Sequence, residues 1–373
     1  MKKLIFLLLG LTPLTITAQS TIYWSGNSGS SDNIDQGANW HGGSNPNSGD
    51  NLYFNNTGTR HKAYSNYVGG SYFNNFITYN GAGGIEFYGD NSYFNKIENS
   101  NDPNLLKFSN STIGGRGSDF EINPVGSGGI YIASSTLNID GGKQLKVYGT
   151  NELKIDAAIT QSNGTATLAI YGAADVILNG ACTYTGLTTI SAGTLQLNKT
   201  GGGTLNSTND VTVSGGTLKV STNQTLDDLT MTSGSLTVDD GVTLTINGDF
   251  TIKGEVSLGS GIILIGSSGT IIGASSSNFI RTTGNGSLRK EFSSPGSFVF
   301  PIGTTGEYTP VTLDFTSLGS SSYAGVRSVA SAHGSFIGGT PSHYLERNWV
   351  LTEGGFSSFA CDISCVYVDA DIV

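Results

Sequence analysis

The stretch Tyr184-Thr-Gly-Leu-Thr-Thr-Ile-Ser-Ala-Gly-Thr-Leu-Gln-Leu197 decides the fold. Its second half returns as Ser214-Gly-Gly-Thr-Leu-Lys-Val220 and as Thr232-Ser-Gly-Ser-Leu-Thr-Val238, with fainter echoes at Gly254-Glu-Val-Ser-Leu258 and Gly269-Thr-Ile-Ile272. The aligned leucines are Leu195, Leu218 and Leu236, so the steps are 23 and 18 residues. Each unit is a glycine turn, then Thr or Ser, then apolar–polar alternation, the period of a half-buried strand. One such strand cannot bury its apolar face alone, but a stack can. A step of about 20 residues suits one coil of a parallel β-solenoid, in which successive turns lie ~4.8 Å apart.

Upstream the same alternation continues at Leu137-Asn-Ile139, Leu145-Lys-Val147, Leu153-Lys-Ile155, Leu168-Ala-Ile170 and Val176-Ile-Leu178. From Tyr64 to Tyr131 the chain is rich in Tyr, Phe and Asn, with short apolar groups separated by Asn-Gly or Gly-Asp turns. This predicts irregular first coils, with asparagines stacking as ladders and aromatics stacking from coil to coil. The rival reading of these aromatics is a carbohydrate-binding face. Before them stand Thr21-Ile-Tyr-Trp-Ser-Gly26, Ala38-Asn-Trp-His-Gly-Gly43 and Pro46-Asn-Ser-Gly-Asp-Asn-Leu-Tyr-Phe54. Trp24, Trp40, Tyr53 and Phe54 are large enough to cover the apolar end of a solenoid, or to offer an aromatic platform to a sugar. Residues 1–19 read as a secretory signal peptide: Lys2 and Lys3, an apolar run from Leu4 to Leu11, and Ile16-Thr-Ala18 before Gln19. No other stretch approaches eighteen apolar residues, so no transmembrane segment is expected.

The run Tyr184–Leu197 resembles the autotransporter-associated β-strand repeat, a Tyr-Thr-Gly-x-Thr-Thr-Ile segment followed by Gly-Thr-Leu. One copy is complete. The order Trp-x-Gly, Asn-Trp, Pro-x-x-Gly-Asp, aromatic near the start is similar to the opening segment of autotransporter-like and adhesin-like β-helical proteins. The resemblance implies a surface-displayed, right-handed parallel β-helix whose repeat residues are structural.

The period is lost around Ser275-Ser-Ser277, and Pro- and Gly-punctuated segments follow at Phe298-Val-Phe-Pro-Ile-Gly303, Tyr308-Thr-Pro-Val-Thr-Leu313 and Arg347-Asn-Trp-Val-Leu351. They read as a separate β-sandwich-like module. Their order is similar to a module of Bacteroidetes-type surface proteins, which usually continue into a sorting domain. This chain stops mid-pattern at Tyr367–Val373 and is read as a fragment or an early-terminated copy. The expected organisation is a signal peptide over 1–19, a cap over 20–63, a parallel β-helix over 64–277 and the sandwich-like module over 278–373.

Composition narrows the function. Glycine is abundant at 54 of 373 residues and only 12 % of residues are charged, which suits an all-β chain and disfavours long helices. A net charge of −10 without a basic stripe argues against a nucleic-acid partner. His41, His61, His333 and His343 are scattered, with no partner at metal-ligand spacing. Gly114-Gly-Arg-Gly-Ser-Asp119 matches one calcium-binding nonapeptide, but that site needs stacked consecutive copies. Cys361 and Cys365 would lie roughly 13 Å apart on one strand, too far to bridge, unless a turn at Asp362-Ile-Ser364 brought them together. Cys182 is the odd thiol.

A lyase or glycosidase on a β-helix needs paired carboxylates, or carboxylates with Lys or Arg, at one-coil spacing. The candidates are Asp210, Asp227, Asp228, Asp239, Asp240, Asp249 and Glu255. Asp227-Asp228 and Asp239-Asp240 stand 12 residues apart and Asp249 is 9 further on, less than one coil each, and no arginine occurs between Arg116 and Arg281. No catalytic, cofactor-binding or metal residue is therefore nominated. The expected function is an exported, cell-surface-associated, adhesin-like or structural protein without catalysis, with extracellular polysaccharide or a host or cell-surface ligand as partner. The alternative is a secreted polysaccharide-binding protein, or a polysaccharide lyase or glycosidase.

Overall fold

A computed structural model describes residues 20–24, 40, 42–54, 62–65, 71–79, 84–100, 102–198, 201–334 and 343–373. The signal-peptide expectation for 1–19, and His41 and His61, fall outside these residues. Among the described residues every named element is a β-strand except a 3-10 turn at Asp369–Asp371.

The strands wind as a parallel β-solenoid whose coil has three sides. One coil runs Thr136–Asp140 on the first side, Gln144–Val147 on the second and Leu153–Ile155 on the third. Each pairs in parallel with its counterpart in the next coil: Ala158–Ser162, Thr167–Ile170 and Asp175–Leu178. On the second side a single inward column runs Ile22, Leu52, Phe76, Ile97, Ile122, Val147, Ile170, Ile190, Val213, Met231, Ile252, each the ladder partner of the one before. Eleven residues at a strand spacing of ~4.8 Å give a stack of about 48 Å. Coil length varies, from 30 residues between Ile22 and Leu52 to 18 between Val213 and Met231. The column stays in register because each coil restores inward pointing at the same rung, which the period-2 alternation requires.

The repeat leucines pair as their spacing predicted. Leu195, Leu218 and Leu236 are direct ladder partners on the third side, continuing Leu106, Ile130, Leu153 and Val176. Of the two echoes, Val256–Leu258 lies on this third side, whereas Thr270–Ile272 lies on the second. In the complete motif Tyr184 turns inward and is fully buried, its hydroxyl 2.7 Å from that of Thr188. Gly186 is required by close approach: a Cβ there would stand 2.2 Å from the Ala166 carbonyl oxygen in the coil below.

Aromatics segregate by chemistry. Phe54, Phe73, Phe76, Phe87, Phe94 and Phe108 fill the first coils, and Phe54 stacks on Phe76 at 4.4 Å between ring centroids. Tyrosines stack on the outside, Tyr53 on Tyr79 at 5.6 Å and Tyr148 on Tyr171 at 5.5 Å, and the Tyr171 hydroxyl donates to Gln144 Oε1 (3.2 Å). The interior stacking expected of the aromatic region is thus carried by its phenylalanines. An asparagine ladder also forms: Asn95 Nδ2 donates to Asn74 Oδ1 (2.7 Å), and Asn74 Nδ2 to Asn51 Oδ1 (2.8 Å). At the N-terminal end Trp24, Trp40 and Phe54 close the core, with Trp24 edge-on to Trp40 at 5.0 Å. Tyr53 departs from the expectation that it covers that end, because the alternation of Asn51–Phe54 turns it outward.

The ladders do not stop at residue 278. Ile280–Thr282 pairs in parallel with Val256–Leu258, Ser287–Phe292 with Ile262–Ile265, and Ile302–Thr304 with Ile280–Thr282. Only the second side ends near Ser275, at Thr270–Ile272. Antiparallel pairing then takes over. Ser322–Val329 and Asn348–Glu353 extend the first side beyond Ser287–Phe292, while Gly296–Phe300, Val311–Leu318 and Phe359–Cys365 form a three-stranded sheet. The first of these groups is continuous with the solenoid rather than a module apart from it. An apolar cleft of about 250 Å³ lies between the groups, and Phe359 and Ile363 on its wall are 53 % and 56 % exposed, so the two sheets are not closed over one another at that edge. Cys361 and Cys365 share the strand Phe359–Cys365 and, like buried Cys182, are free thiols, so no turn at residues 362–364 brings the pair together.

Two buried cations fasten this end. Lys290 Nζ donates to the carbonyls of Gly266, Ser267 (2.9 Å) and Gly269 (2.8 Å), which uses all three ammonium protons on one turn of the last coil. The Arg347 side chain is fully buried, forks onto both Asp371 oxygens, bonds Glu307, and donates from Nη1 to Thr304 and Ser328 at 3.0 Å each.

Candidate functional site

The carboxylates that could have served a lyase or glycosidase are placed by the coil corners. Asp210, Asp228 and Asp249 occupy the same corner of three successive coils, 18 and 21 residues apart, so they do stack at one-coil spacing. Spacing between neighbouring acidic pairs hid this column; the three-way comparison Asp210, Asp228, Asp249 is the signal that finds it. Their role there is to accept from the coil above: Asp210 Oδ1 takes the Asp228 N–H (3.3 Å), Asp228 Oδ1 the Asp249 N–H (2.7 Å), and Asp249 Oδ1 the Thr270 hydroxyl (2.6 Å). Such a ladder satisfies backbone donors at the turns. Asp227 stands at the same corner, one residue before Asp228, and its N–H bonds the Asn209 carbonyl in the coil below. Asp239 and Asp240 follow the strand Leu229–Val238 at a turn on the third side, and Glu255 is paired with Arg281.

The single nonapeptide is also tied up by neighbours. Asp119 accepts from Lys146 Nζ (2.7 Å) and from the Gln144 N–H (3.0 Å), and Gly117 N–H is held by Asp140 (2.6 Å). Burial pushes the Asp119 carboxyl up, but Lys146 and the Gln144 N–H outweigh it and hold it below the usual range. Among the described residues no group of three His, Cys, Asp or Glu side chains converges as for a metal ion. His333 follows the strand Ser322–Val329 and His343 precedes Asn348–Glu353.

The outer wall carries polar ladders. Tyr131 donates to Asp156, which raises the phenol to about 12, and Lys154 sits 4.6 Å from the Tyr131 ring centroid. Lys107 pairs with Glu86 (2.9 Å) and Lys96 with Glu98 (2.5 Å). Exposed pairs of this kind stabilise little, and they leave the wall polar and uniform along the stack.

At the C-terminal end of the third side the wall opens. A cleft of about 500 Å³ is bounded by Thr282–Asn285, by Thr304 and Thr305, and by Arg327–Ala330. Thr282, Thr304 and Arg327–Val329 come from the strands Ile280–Thr282, Ile302–Thr304 and Ser322–Val329, while Thr283–Asn285, Thr305 and Ala330 stand on the turns that follow them. Sequence reasoning passed over this place, because its polar groups come from three separate segments, residues 282–285, 304–305 and 327–330, that share no motif.

Among the described residues no helix is long and apolar enough to cross a membrane. No protein-family model, no curated protein and no solved structure matches the chain.

Proposed function

We propose that the protein is an exported, cell-surface-associated β-helical rod with an adhesin-like or structural role and no catalysis of its own. The observation that carries this reading is the unbroken inward column from Ile22 to Ile252, which makes a stiff stack about 48 Å long. Neighbouring coils share both a dry core and continuous backbone ladders, so such a stack resists bending and can hold a binding surface away from its attachment. The use of Asp210, Asp228 and Asp249 as turn acceptors supports the non-catalytic part. Incubation of the purified chain with a panel of neutral and uronate polysaccharides tests that part. No reducing or unsaturated ends are expected, and their release would overturn it.

A second reading, polysaccharide binding without cleavage, is favoured by the outward tyrosine stacks Tyr53–Tyr79 and Tyr148–Tyr171 and by the polar cleft at the C-terminal end. Retention of the chain on an immobilised polysaccharide, with no ends released, would support it.

A further inference from the structure

We infer that the cleft beside Arg327 is a binding site for a sugar bearing one carboxylate, a uronate residue at a chain end or in an otherwise neutral glycan. The inference deepens the polysaccharide-binding reading by giving it a site and a ligand class.

Several polar groups in the cleft are already engaged within the chain. Thr282 Oγ1 donates to the Ser328 carbonyl (2.8 Å) and accepts its N–H (3.1 Å). Thr283 Oγ1 donates to the Leu258 carbonyl (3.2 Å), and Thr304 Oγ1 receives Arg347 Nη1 (3.0 Å). The side chains of Asn285, Thr305 and Arg327 have no intramolecular partner among the described residues. The contrast among arginines is sharp. Arg116 lies over Tyr93, Arg281 pairs with Glu255, Arg289 bonds Ser287 and covers Tyr323, and Arg347 is wholly enclosed. Of the described arginines, Arg327 alone makes no side-chain hydrogen bond, ion pair or ring contact, and it stands half-buried at the side of the cleft.

The chemistry of these three groups selects the ligand. A guanidinium matches a carboxylate with two parallel donors, and an amide and a hydroxyl suit the alternating donors and acceptors of sugar hydroxyls. The volume falls within the range that holds small ligands. The single cation lining this cleft suits a single carboxylate, whereas a polyanion or a phosphate ester calls for several cations together.

The test titrates the full chain with methyl glucuronide, methyl glucoside and inorganic phosphate, read by saturation-transfer NMR, with unfolding midpoints recorded for each variant. The expected result is binding of the glucuronide and none of the glucoside. Arg327→Gln should weaken it roughly tenfold or more, the loss of one charge-assisted pair. Arg327→Lys should restore only part, because an ammonium lacks the planar fork. Should Arg327→Gln lower the midpoint, Thr305→Val and Asn285→Ala serve instead, each weakening glucuronide binding in a chain of unchanged stability. Equal response to glucoside and glucuronide, binding unchanged in these variants, no glucuronide binding at all, or tighter binding of phosphate would each overturn the assignment. Display of the Arg327→Gln chain on cells, scored separately, reports on the surface-rod reading and is expected to be unchanged.

Discussion

The Tyr184 hydroxyl and the Thr188 hydroxyl face each other at 2.7 Å inside the coil, each in a fully buried side chain. Burial pushes the Tyr184 phenol far above its ordinary value, so the pair stays neutral and each oxygen relies on the other. Tyr184→Phe keeps the ring and strands the Thr188 hydroxyl, which should cost about 1–3 kcal/mol. The double variant with Thr188→Val should recover much of that loss. Denaturant unfolding of the four chains measures both numbers; a Tyr184→Phe midpoint equal to wild type would contradict the role given to the pair.

Gly186 and Gly254 separate glycines that the fold needs from one it does not. Alanine at 186 drives a Cβ to within 2.2 Å of the Ala166 carbonyl, so two coils must part, with an expected loss of about 1–3 kcal/mol. Nothing lies within 4 Å of a Cβ at 254, and Gly254→Ala should be neutral or stabilise by about 0.4–1 kcal/mol through the unfolded chain. Thermal midpoints of the two variants should move in opposite directions or, at the least, differ in that order.

Arg347 and Asp371 make the C-terminal end sensitive to acid. Burial pushes the Asp371 carboxyl up, but the Arg347 guanidinium and the Val368 N–H outweigh burial and hold it below the usual range. A depressed folded pKa means the contribution is complete above the unfolded value of about 3.9 and is lost as pH falls through the folded one. Amide exchange at residues 344–347 and 369–373 should therefore accelerate below about pH 4, before the central coils open. Asp371→Asn leaves the buried guanidinium short of its forked partner, should cost about 3 kcal/mol, and should remove this acid step.

Tyr131 gives an alkaline counterpart on the outer wall. Its bond to Asp156, with some burial, raises the phenol to about 12, against about 10 in the unfolded chain. A raised folded pKa contributes stability below about pH 10 that disappears as pH climbs through about 12. Site-resolved NMR titration should show Tyr131 ionising near 12, and Asp156→Asn should return it towards 10. A Tyr131 that titrates at 10 in the native chain would contradict the bond.

The solenoid was legible where its signal is local. Leu195, Leu218 and Leu236 carry both the alternation and the glycine turn, and the structure pairs them directly. Three sides per coil were not legible, because Tyr184 and Leu205 hold the first side with no repeated pattern around them. The outward turn of Tyr53 was missed since size alone suggested a cover, while the pleat of Asn51–Phe54 decided the matter. The column Asp210, Asp228, Asp249 was obscured by unequal coils. Arg347 gave no local cue, as its partners lie 24 residues away at Asp371, 40 at Glu307 and 43 at Thr304. The cleft beside Arg327 is likewise a product of three distant segments meeting.

The central claim is display of this rod at the cell surface, and protease shaving of intact producing cells tests it most directly. An antibody to residues 191–272 should detect a band that disappears when intact cells are shaved, while a cytoplasmic marker persists. A band that survives shaving and is digested only after lysis, or one found solely in the medium, would contradict the account.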